Sequence, residues 1–513
     1  MEVENLMKNE FTGNSLRILL FASLAGTMSI GMPAVAADVM APIPTLDEMH
    51  SNQVELPEIG QEYPDSAYTL EQTQVQNSNL IISAINRETG AKEPTYYNLS
   101  LKDAVLNYGT GDGNYTTNID IVGDNFNFNG QVNVNYDNVS ADSKYENGDE
   151  GVSVESNFIG FTSSSALSNQ GTIDSVKGDF INNEISATKS NASGAAVSNY
   201  STGRDEVVEI KKISGNFVGN RIYADRNASG AAIYNDANYS ENKSTIIGDI
   251  EGNFIENSVV GSMDASNSVY SASGGAIYNM KQINSINGNF VKNSSVAQNV
   301  GRASGGAINN NGNGNIGSIK GHFIANNAVV SEGYEVSGGA IANYSNIDSI
   351  VGDFIGNYVF SENVDCDMLG GAIFNQGIIN NIKGDFIGNS ANAQYESERA
   401  LGGAIFNSFM INDISGNFID NTAYSGGAIY NAFGTANGAY YGSPSIDNAI
   451  YSNVSESYFY GNNAAFGGAV SLDSKYYNDN PFEGTFSMAL NIENSVFENN
   501  TAESGGAIVF IRI

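Results

Sequence analysis

The sequence predicts an all-β fold, a right-handed parallel β-helix of about ten to eleven rungs with a small N-terminal cap region. Three observations predict it. Two short phrases alternate ten times through residues 157–513, their spacing varies only at two points of the unit, and apolar residues within the unit alternate at period two. A repeated unit of this kind is typical of a solenoid, in which each rung contacts only its neighbours.

The repeat consists of a phenylalanine phrase and a glycine phrase. Phe-x-x-Asn, usually preceded by Gly-Asp or Gly-Asn, occurs at Phe180 and Asn183, Phe217 and Asn220, Phe254 and Asn257, Phe290 and Asn293, Phe323 and Asn326, Phe354 and Asn357, Phe386 and Asn389, Phe418 and Asn421, Phe459 and Asn462, and Phe497 and Asn500. Gly-Gly-Ala-Ile or Gly-Gly-Ala-Val begins at Gly274, Gly305, Gly338, Gly370, Gly402, Gly426, Gly467 and Gly505. Gly194 and Gly230 begin a Gly-Ala-Ala variant, and residues 166–171 form a degenerate eleventh unit.

The spacing of the phrases describes a constant core with inserts. Successive glycine phrases are 24 residues apart from Gly402 to Gly426 and 31 to 44 residues apart elsewhere. The step from Asn to the next glycine phrase is 5 residues after Asn421 but 17 after Asn257. Variable inserts at fixed points are expected of solenoid rungs that carry loops at their corners.

The composition of the unit favours strands over helices. Ile350, Gly352 and Phe354 alternate at period two, as in a strand. Gly and Asn recur every few residues, which a helix does not tolerate. The runs that helical repeats need and the regular Leu ladders of leucine-rich repeats are absent. Three short strands per rung with Asn and Gly corners therefore remain.

Each repeated residue has an expected physical role. Phe and Ile should point inward and stack on their counterparts about 4.8 Å away. We expect two such stacks, Phe354, Phe386 and Phe418, and Ile341, Ile373 and Ile405. Asn at a corner tolerates left-handed backbone angles and can bond its neighbour in the next rung, forming a ladder. Gly-Gly permits a sharp turn and close backbone approach. A second Asn series follows the glycine phrase at Asn199, Asn235, Asn279, Asn309 or Asn310, Asn343, Asn375, Asn407 and Asn431.

The N-terminus predicts export. Lys8 and Arg17 precede an apolar run at 18–25, and Ala34 and Ala36 fit cleavage after Ala36. We therefore divide the chain into a signal peptide (1–36), an N-terminal segment and cap (37–156) and the repeat region (157–513). A short helix is expected at 98–106, and a polar-faced cap is what the first rung of a solenoid needs.

Charge excludes two classes of partner. The chain carries 22 basic and 56 acidic side chains, a formal charge of -34. Such a surface repels nucleic-acid phosphates and anionic lipid, so we expect neither nucleic-acid binding nor direct binding to anionic membranes. The chain has one Cys and two His, too few for an internal disulfide framework or a Cys-rich zinc site and few for His-based catalysis.

The inserts hold the best candidates for chemistry. Glu362, Asp365 and Asp367 lie in one insert and form a weak candidate calcium site; solvated loop tips are the alternative. Glu332 and Glu335, and Glu396 and Glu398, occupy the inserts one rung before and one rung after. Cys366 is expected to be an inert or exposed thiol. We expect no cofactor and no enzyme activity, since Arg302 and Arg399 alone are too few for a lyase site.

The alternating phrases resemble the repeats of the polymorphic outer-membrane proteins first recognised in chlamydiae, over roughly residues 157–513. The resemblance implies an autotransporter passenger that is exported, displayed at the outer membrane or secreted, and active in adhesion to a host or neighbouring cell surface. Two features depart from that family: the single Cys366, and the end of the chain, where only residues 509–513 follow the last glycine phrase.

Because this end is apolar and β-prone, we predict that the chain is an incomplete copy of a longer protein. We also predict that it self-associates through its C-terminal rung. Two other functions stay open, a secreted β-helix enzyme that degrades polysaccharides and a structural stalk. Adjacent carboxylates with measurable sugar cleavage would favour the enzyme, and a large distal domain would favour the stalk.

Overall fold

The structure, a computed structural model, describes residues 165–511 except 170–171, 202–206, 239–244, 262–269, 299–300, 364, 394–398, 433–449 and 474–487, together with strands between residues 68 and 159. Every regular element in this part of the chain is a β-strand. The strands form five sheets that run along a β-solenoid, and successive parallel strands of one sheet come from successive rungs. The predicted all-β solenoid is therefore confirmed.

From Leu167–Asn169 to Ala400–Leu401 the chain passes through sheets A, B, C, D and E in turn in each of seven rungs, so these rungs hold five strands where the sequence predicts three. The described parts of the later rungs hold strands of sheets A, B and C only. Sheet A holds Tyr68–Gln76, Asn79–Asn86, Tyr97–Ser100, Ala104–Leu106, Val132–Val134, Leu167–Asn169, Val197–Ser201, Ile233–Ala237, Ile277–Asn279, Ile308–Asn310, Ile341–Asn343, Ile373–Asn375, Ile405–Asn407, Ile429–Ala432, Val470–Asp473 and Ile508–Ile511. Sheet B holds Thr116–Asn118, Val152–Glu155, Thr172–Lys177, Val208–Ser214, Thr245–Glu251, Gln282–Asn287, Asn315–Lys320, Asn346–Val351, Ile378–Lys383, Met410–Ser415, Ile450–Ser455 and Met488–Glu493.

The three remaining sheets are built from shorter strands. Sheet C holds Ile121–Val122, Phe158–Ile159, Phe180–Ile181, Phe217–Val218, Phe254–Ile255, Phe290–Val291, Phe323–Ile324, Phe354–Ile355, Phe386–Ile387, Phe418–Ile419, Tyr458–Tyr460 and Val496–Glu498. Sheet D holds Glu184–Ala187, Arg221–Ala224, Ser258–Gly261, Ser294–Ala297, Asn327–Val330, Tyr358–Ser361 and Ser390–Ala393. Sheet E holds Ala192–Ser193, Ala228–Ser229, Tyr270–Ser273, Gly301–Ser304, Glu335–Ser337, Asp367–Leu369 and Ala400–Leu401.

The phenylalanines form one continuous stack in the core. Eleven rings from Phe158 to Phe497 follow one another with centroids 4.5–4.9 Å apart and planes within 4° of parallel. The predicted neighbours Phe354, Phe386 and Phe418 are separated by 4.8 Å at each step. Because in-register parallel strands lie one strand spacing apart, each ring must lie directly over the ring of the previous rung.

The isoleucines of the glycine phrase form the second predicted stack. Ile341 pairs with Ile373 and Ile373 pairs with Ile405, and all three are buried. They belong to the same apolar cluster as the phenylalanines and the two inward residues of each sheet B strand from Thr172–Lys177 to Met410–Ser415. A core therefore runs along the inside of the rungs, and a second apolar cluster lies beside it among sheets D and E.

The glycine phrase turns the chain from sheet E to sheet A. Gly370 has a φ of +68°, a left-handed angle that side chains rarely adopt. A Cβ on Gly371 would lie 2.1 Å from the carbonyl oxygen of Gly403 in the next rung. The first glycine therefore supplies the turn and the second allows adjacent backbones to approach, as the sequence predicts.

The asparagines of the phenylalanine phrase form a buried amide ladder. Each Nδ2 donates to the Oδ1 of its counterpart in the next rung at 2.8–3.0 Å, from Asn183 to Asn500. The second N–H is also used: Asn357 Nδ2 donates to the carbonyl oxygen of Phe323 at 2.9 Å. From Asn183 to Asn462 each buried amide thereby uses both of its donors within the protein.

The second asparagine series forms a ladder of the same kind. Amide-to-amide bonds of 2.7–2.9 Å connect Asn169, Asn199, Asn235, Asn279, Asn310, Asn343, Asn375, Asn407 and Asn431. Asn310 is the member of the ladder, whereas Asn309 donates to Ser304 Oγ at 2.6 Å. The alternative that the sequence leaves open is thus resolved.

One expectation about these asparagines is wrong. The left-handed angle belongs to the residue before the ladder asparagine, with φ of +53° at Asn182, +54° at Lys292 and +60° at Gly356. The ladder asparagine itself must keep its side chain inside the rung, where its amide bonds to the ladder asparagines of the neighbouring rungs. The turn is therefore made one position earlier.

A third ladder was not foreseen, at the position before each phenylalanine. There the backbone N–H of one rung donates to the side chain of the previous rung, as from Asn216 to Asp179 Oδ1 at 2.7 Å and from Asn417 to Asp385 Oδ1 at 2.8 Å. Its members are Asp179, Asn216, Asn253, Asn289, His322, Asp353, Asp385 and Asn417. The recurrent Gly-Asp or Gly-Asn before Phe is its signal in the sequence.

The N-terminal strands correct the expected helix at 98–106. Tyr97–Ser100 and Ala104–Leu106 are strands that pair antiparallel with each other, and Tyr97–Ser100 pairs antiparallel with Asn79–Asn86. Ala104–Leu106 then pairs parallel with Val132–Val134. Strands are favoured here because they bond the open N–H and C=O groups at the sheet end, which a helix would leave unpaired.

Parallel pairing begins upstream of the predicted boundary at 157, since Thr116–Asn118 pairs with Val152–Glu155 and Ile121–Val122 pairs with Phe158–Ile159. The proposed signal peptide, residues 1–36, lies outside the described residues.

Replacing a ring inside the phenylalanine stack should be costly. We expect Phe386→Ala to lower the free energy of unfolding by about 3–5 kcal/mol, because a fully buried ring leaves a cavity between two neighbours. Equilibrium urea denaturation followed by circular dichroism measures the change. Phe497→Ala is the matched control, because Phe497 is only partly buried and stacks on one ring, and its cost should be smaller. Equal costs would contradict the stacking account.

Candidate functional site

Charged side chains form a row along the outer face of sheet E. Arg302 pairs in register with Glu335, and Glu335 pairs with Asp367 of the next rung. Arg399, immediately before Ala400–Leu401, adds a fourth member. We call Arg302, Glu335, Asp367 and Arg399 the charged row. The sequence placed these residues in successive inserts, and the solenoid aligns them along its axis.

Each carboxylate of the charged row has its own arginine. Arg302 Nη2 lies 3.7 Å from Glu335 Oε2, and Arg399 Nη1 lies 3.2 Å from Asp367 Oδ1. Arg399 Nη1 also donates to the carbonyl oxygen of Asp365 at 2.9 Å, and the Arg302 guanidinium lies 4.6 Å from the ring centroid of Tyr334. The two arginines therefore flank a pair of adjacent acids and offset their mutual repulsion.

Burial changes the acidity of both carboxyl groups. It raises the pKa of Glu335 above its ordinary value of 4.5; the Arg302 guanidinium opposes this change and the Asp367 carboxylate adds to it. Burial also raises the pKa of Asp367, against the lowering effect of Arg399. Removing a carboxylate from water penalises its charged form, and one arginine each does not fully compensate.

The structure does not assemble the candidate metal set. Glu362 and Asp365 are exposed, whereas Asp367 is half-buried and paired with Arg399. Within the described residues, no three His, Cys, Asp or Glu side chains lie close enough to hold a metal ion. Glu396 and Glu398 lie outside the described residues. The described part of these inserts thus provides ion pairs to arginine in place of a calcium cage.

Cys366 is an inert thiol, one of the two states that the sequence allows. Its side chain is buried in a second apolar cluster, which also contains Val336, Val359 and Met368. Burial raises the pKa of the thiol to about 12. Because the nucleophile is the thiolate, this cysteine stays protonated and unreactive near neutral pH.

An outer row of aromatic residues was not foreseen. Phe374, Phe406 and Tyr430 stack on the outside of sheet A with centroids 5.5 Å apart, and Leu369 and Leu401 of sheet E pack against them. These aromatic residues occupy the position between Ile and Asn after the glycine phrase. That position varies along the chain, so the sequence carries no strong signal for it.

The last described rung exposes apolar side chains. Phe510 is 74% exposed, Val496 56% and Ile508 37%, although Val470 and Leu472, the counterparts of Ile508 and Phe510 in the previous rung, are buried. Ile508–Ile511 is the end strand of sheet A and Val496–Glu498 that of sheet C. The end strands present backbone N–H and C=O groups together with apolar side chains.

Comparisons with family models, curated proteins and solved structures gave no match for this chain. Among the described residues, none belongs to a helix long and apolar enough to cross a membrane.

The charged row predicts a pH effect on stability. Since the pKa of Glu335 is raised on folding, the folded state holds more protons than the unfolded state above pH 4.5, and stability falls as pH rises through the folded pKa. We expect Glu335→Gln to remove this component, so that the melting temperature of the wild type drops relative to the variant as pH rises. Differential scanning calorimetry of both proteins measures it.

Glu332→Gln is the matched control, because Glu332 is an exposed glutamate in the same insert. Parallel pH curves for the wild type and Glu335→Gln would show that burial of Glu335 has no such effect.

Proposed function

We propose that the chain is a surface-displayed or secreted autotransporter passenger that acts in adhesion or another surface interaction. The observation that carries the proposal is the division of each rung into a constant core and variable inserts. The core positions repeat from rung to rung, whereas the inserts leave at the same two corners and differ in length and composition. Such a scaffold presents many different loops without changing its interior.

The shape of the solenoid supports this function. The phenylalanine stack alone takes ten steps of 4.5–4.9 Å, which makes a column about 47 Å long. A rod of this kind carries its inserts along its length and offers an extended surface to a cell. The proposed partner is a ligand on a host or neighbouring cell surface, and the proposed location is the outer membrane or the medium.

The similarity of the repeats to the polymorphic outer-membrane proteins and the signal-like residues 1–36 supply the export part of the proposal. The charge of -34 is consistent with it, because a strongly acidic surface avoids nonspecific attachment to nucleic acid and anionic lipid.

One observation favours the alternative of a polysaccharide-degrading enzyme. Glu335 and Asp367 are adjacent carboxyl groups with raised pKa values, an arrangement that glycoside hydrolysis uses. Each is also paired with an arginine, which opposes the rise in its pKa and contacts one of its oxygens, as in a structural ion pair. We therefore place adhesion first and propose that the chain is not an enzyme.

Adhesion is tested with beads that carry the full chain. We expect these beads to attach to cultured animal cells or to bacterial cells more than beads coated with the heat-unfolded chain or with another acidic protein. Flow cytometry counts the attached beads. Equal attachment of all three coatings would reject the proposal. Release of reducing sugars from the same cells, abolished by Glu335→Gln, would support the enzyme alternative.

The exposed end rung leads us to propose self-association through the C-terminal rung. Strand edges with apolar side chains pair with one another unless they are covered or charged. We expect the full chain to form dimers or larger species at high concentration and Phe510→Lys to reduce them. Analytical ultracentrifugation measures the distribution of species.

Val207→Lys is the matched control, because Val207 is 56% exposed and lies far from the last rung in the sequence. A strictly monomeric wild type, or equal effects of both substitutions, would contradict this proposal.

A further inference from the structure

Sheet B presents a largely polar surface over five consecutive rungs. The five strands are Gln282–Asn287, Asn315–Lys320, Asn346–Val351, Ile378–Lys383 and Met410–Ser415, and they pair in parallel register. In every strand the second and fifth residues are buried, and the other four are half-buried or exposed. We call the outward residues of these strands the amide face.

The amide face is neutral although the chain is strongly acidic. Its only charged residues are Asp348, Asp413, Lys320 and Lys383, whose formal charges cancel, in a chain of net charge -34. Amides and hydroxyls make up most of the rest: Gln282, Asn284, Asn287, Asn315, Asn346, Asn380, Asn381 and Asn412, with Ser285, Ser318, Ser349 and Ser415. The preceding strands of sheet B differ, since they carry ion pairs such as Lys211 with Asp174 and Lys212 with Glu251.

Hydrogen bonds between rungs hold these amides in place. Asn412 Nδ2 donates to Asn380 Oδ1 at 2.8 Å, and Asn380 Nδ2 donates to Asp348 Oδ1 at 3.1 Å. Asn315 Nδ2 donates to Gln282 Oε1 at 3.0 Å. An amide has two donors and two acceptor lone pairs, so each ladder bond leaves further donors and acceptors for a ligand. Side chains that are already ordered lose less entropy on binding.

Bonds between rungs account for only part of this composition, because a ladder bond uses one donor of one amide and one acceptor site of the next. Asn is a poor strand former, so it is not selected here for β propensity. Like charges directly opposite one another are destabilising in a sheet, which disfavours identical charges at these positions. A surface with regularly repeated hydrogen-bond donors and acceptors is complementary to a ligand whose own donors and acceptors also repeat.

We propose that the amide face binds a neutral, extended β-linked polysaccharide that lies along the solenoid axis. Sugar hydroxyls both donate and accept, as the amides do, and successive residues of an extended β-linked glycan follow one another at intervals comparable with the strand spacing of about 4.8 Å. An acidic polymer is repelled by the net charge of the chain. This inference rests on the proposed adhesive function and names the class of surface ligand that it recognises.

Binding is measured with the full chain and suspensions of cellulose and chitin, with dextran as a flexible neutral glycan and polygalacturonate as an acidic one. We expect binding to cellulose or chitin and little binding to the other two. The variant carrying Asn380→Ala, Asn381→Ala and Asn412→Ala should bind at least about tenfold more weakly, because three amide contacts are lost.

The matched control carries Ser294→Ala, Asn327→Ala and Asn392→Ala, polar residues on the outer side of sheet D. It should bind as the wild type does. Melting curves check that both variants are folded, and Asn380→Ala alone should give an intermediate loss if the triple variant melts early.

Three outcomes overturn the inference: no binding to cellulose or chitin, equal loss in both triple variants, or equally tight binding of polygalacturonate. If beads coated with the chain still attach to cells in the first case, the adhesive function stands and only the glycan assignment fails. If attachment is also absent, the proposed function fails with it.

Discussion

The distance between successive rungs is the constraint on which the rest of this structure depends. In-register parallel pairing places every side chain about one strand spacing from its counterpart above and below. One residue type can therefore recur at the same position of successive rungs only if it packs well against copies of itself. Flat aromatic rings satisfy this condition, as the 4.7 Å step between Phe290 and Phe323 illustrates. Primary amides satisfy it too, because one amide can donate to and accept from identical neighbours.

A series of identical charged residues does not satisfy that condition, so charged side chains are placed beside residues of opposite charge. Identical charges at one position would repel in every rung. In the charged row, the adjacent acids Glu335 and Asp367 are instead flanked by Arg302 and Arg399. On sheet B, Lys211 and Lys212 reach acids of adjacent rungs. Where no such partner is available, as over most of the amide face, the chain uses uncharged polar residues.

The parts of the fold that repeat were predictable, and the parts that vary were not. Phe386, Asn389 and Gly402 recur in the sequence, so strands, ladders and turns follow from elementary sterics and hydrogen bonding. The third ladder was visible in the residues before each phenylalanine, but those residues change between Asp, Asn and His322, and the common role was missed. The helix expected at 98–106 failed because end strands need a pairing partner, a tertiary requirement that local sequence does not express. The charged row depended on aligning inserts of unequal length, which spacing alone leaves undetermined.

The short strands of sheet C have a mechanical consequence. Most of them contain two residues, and the backbone hydrogen bonds that hold them are directed along the axis to the next rung. Tension applied to the end of the chain therefore acts on the hydrogen bonds of the outermost strand first. These bonds break before those of the next strand are loaded. Each step breaks few bonds and leaves the following rung intact, because rungs contact only their neighbours. A rod built this way would lengthen gradually under force and absorb work over a long extension, where a single globular core would rupture at once.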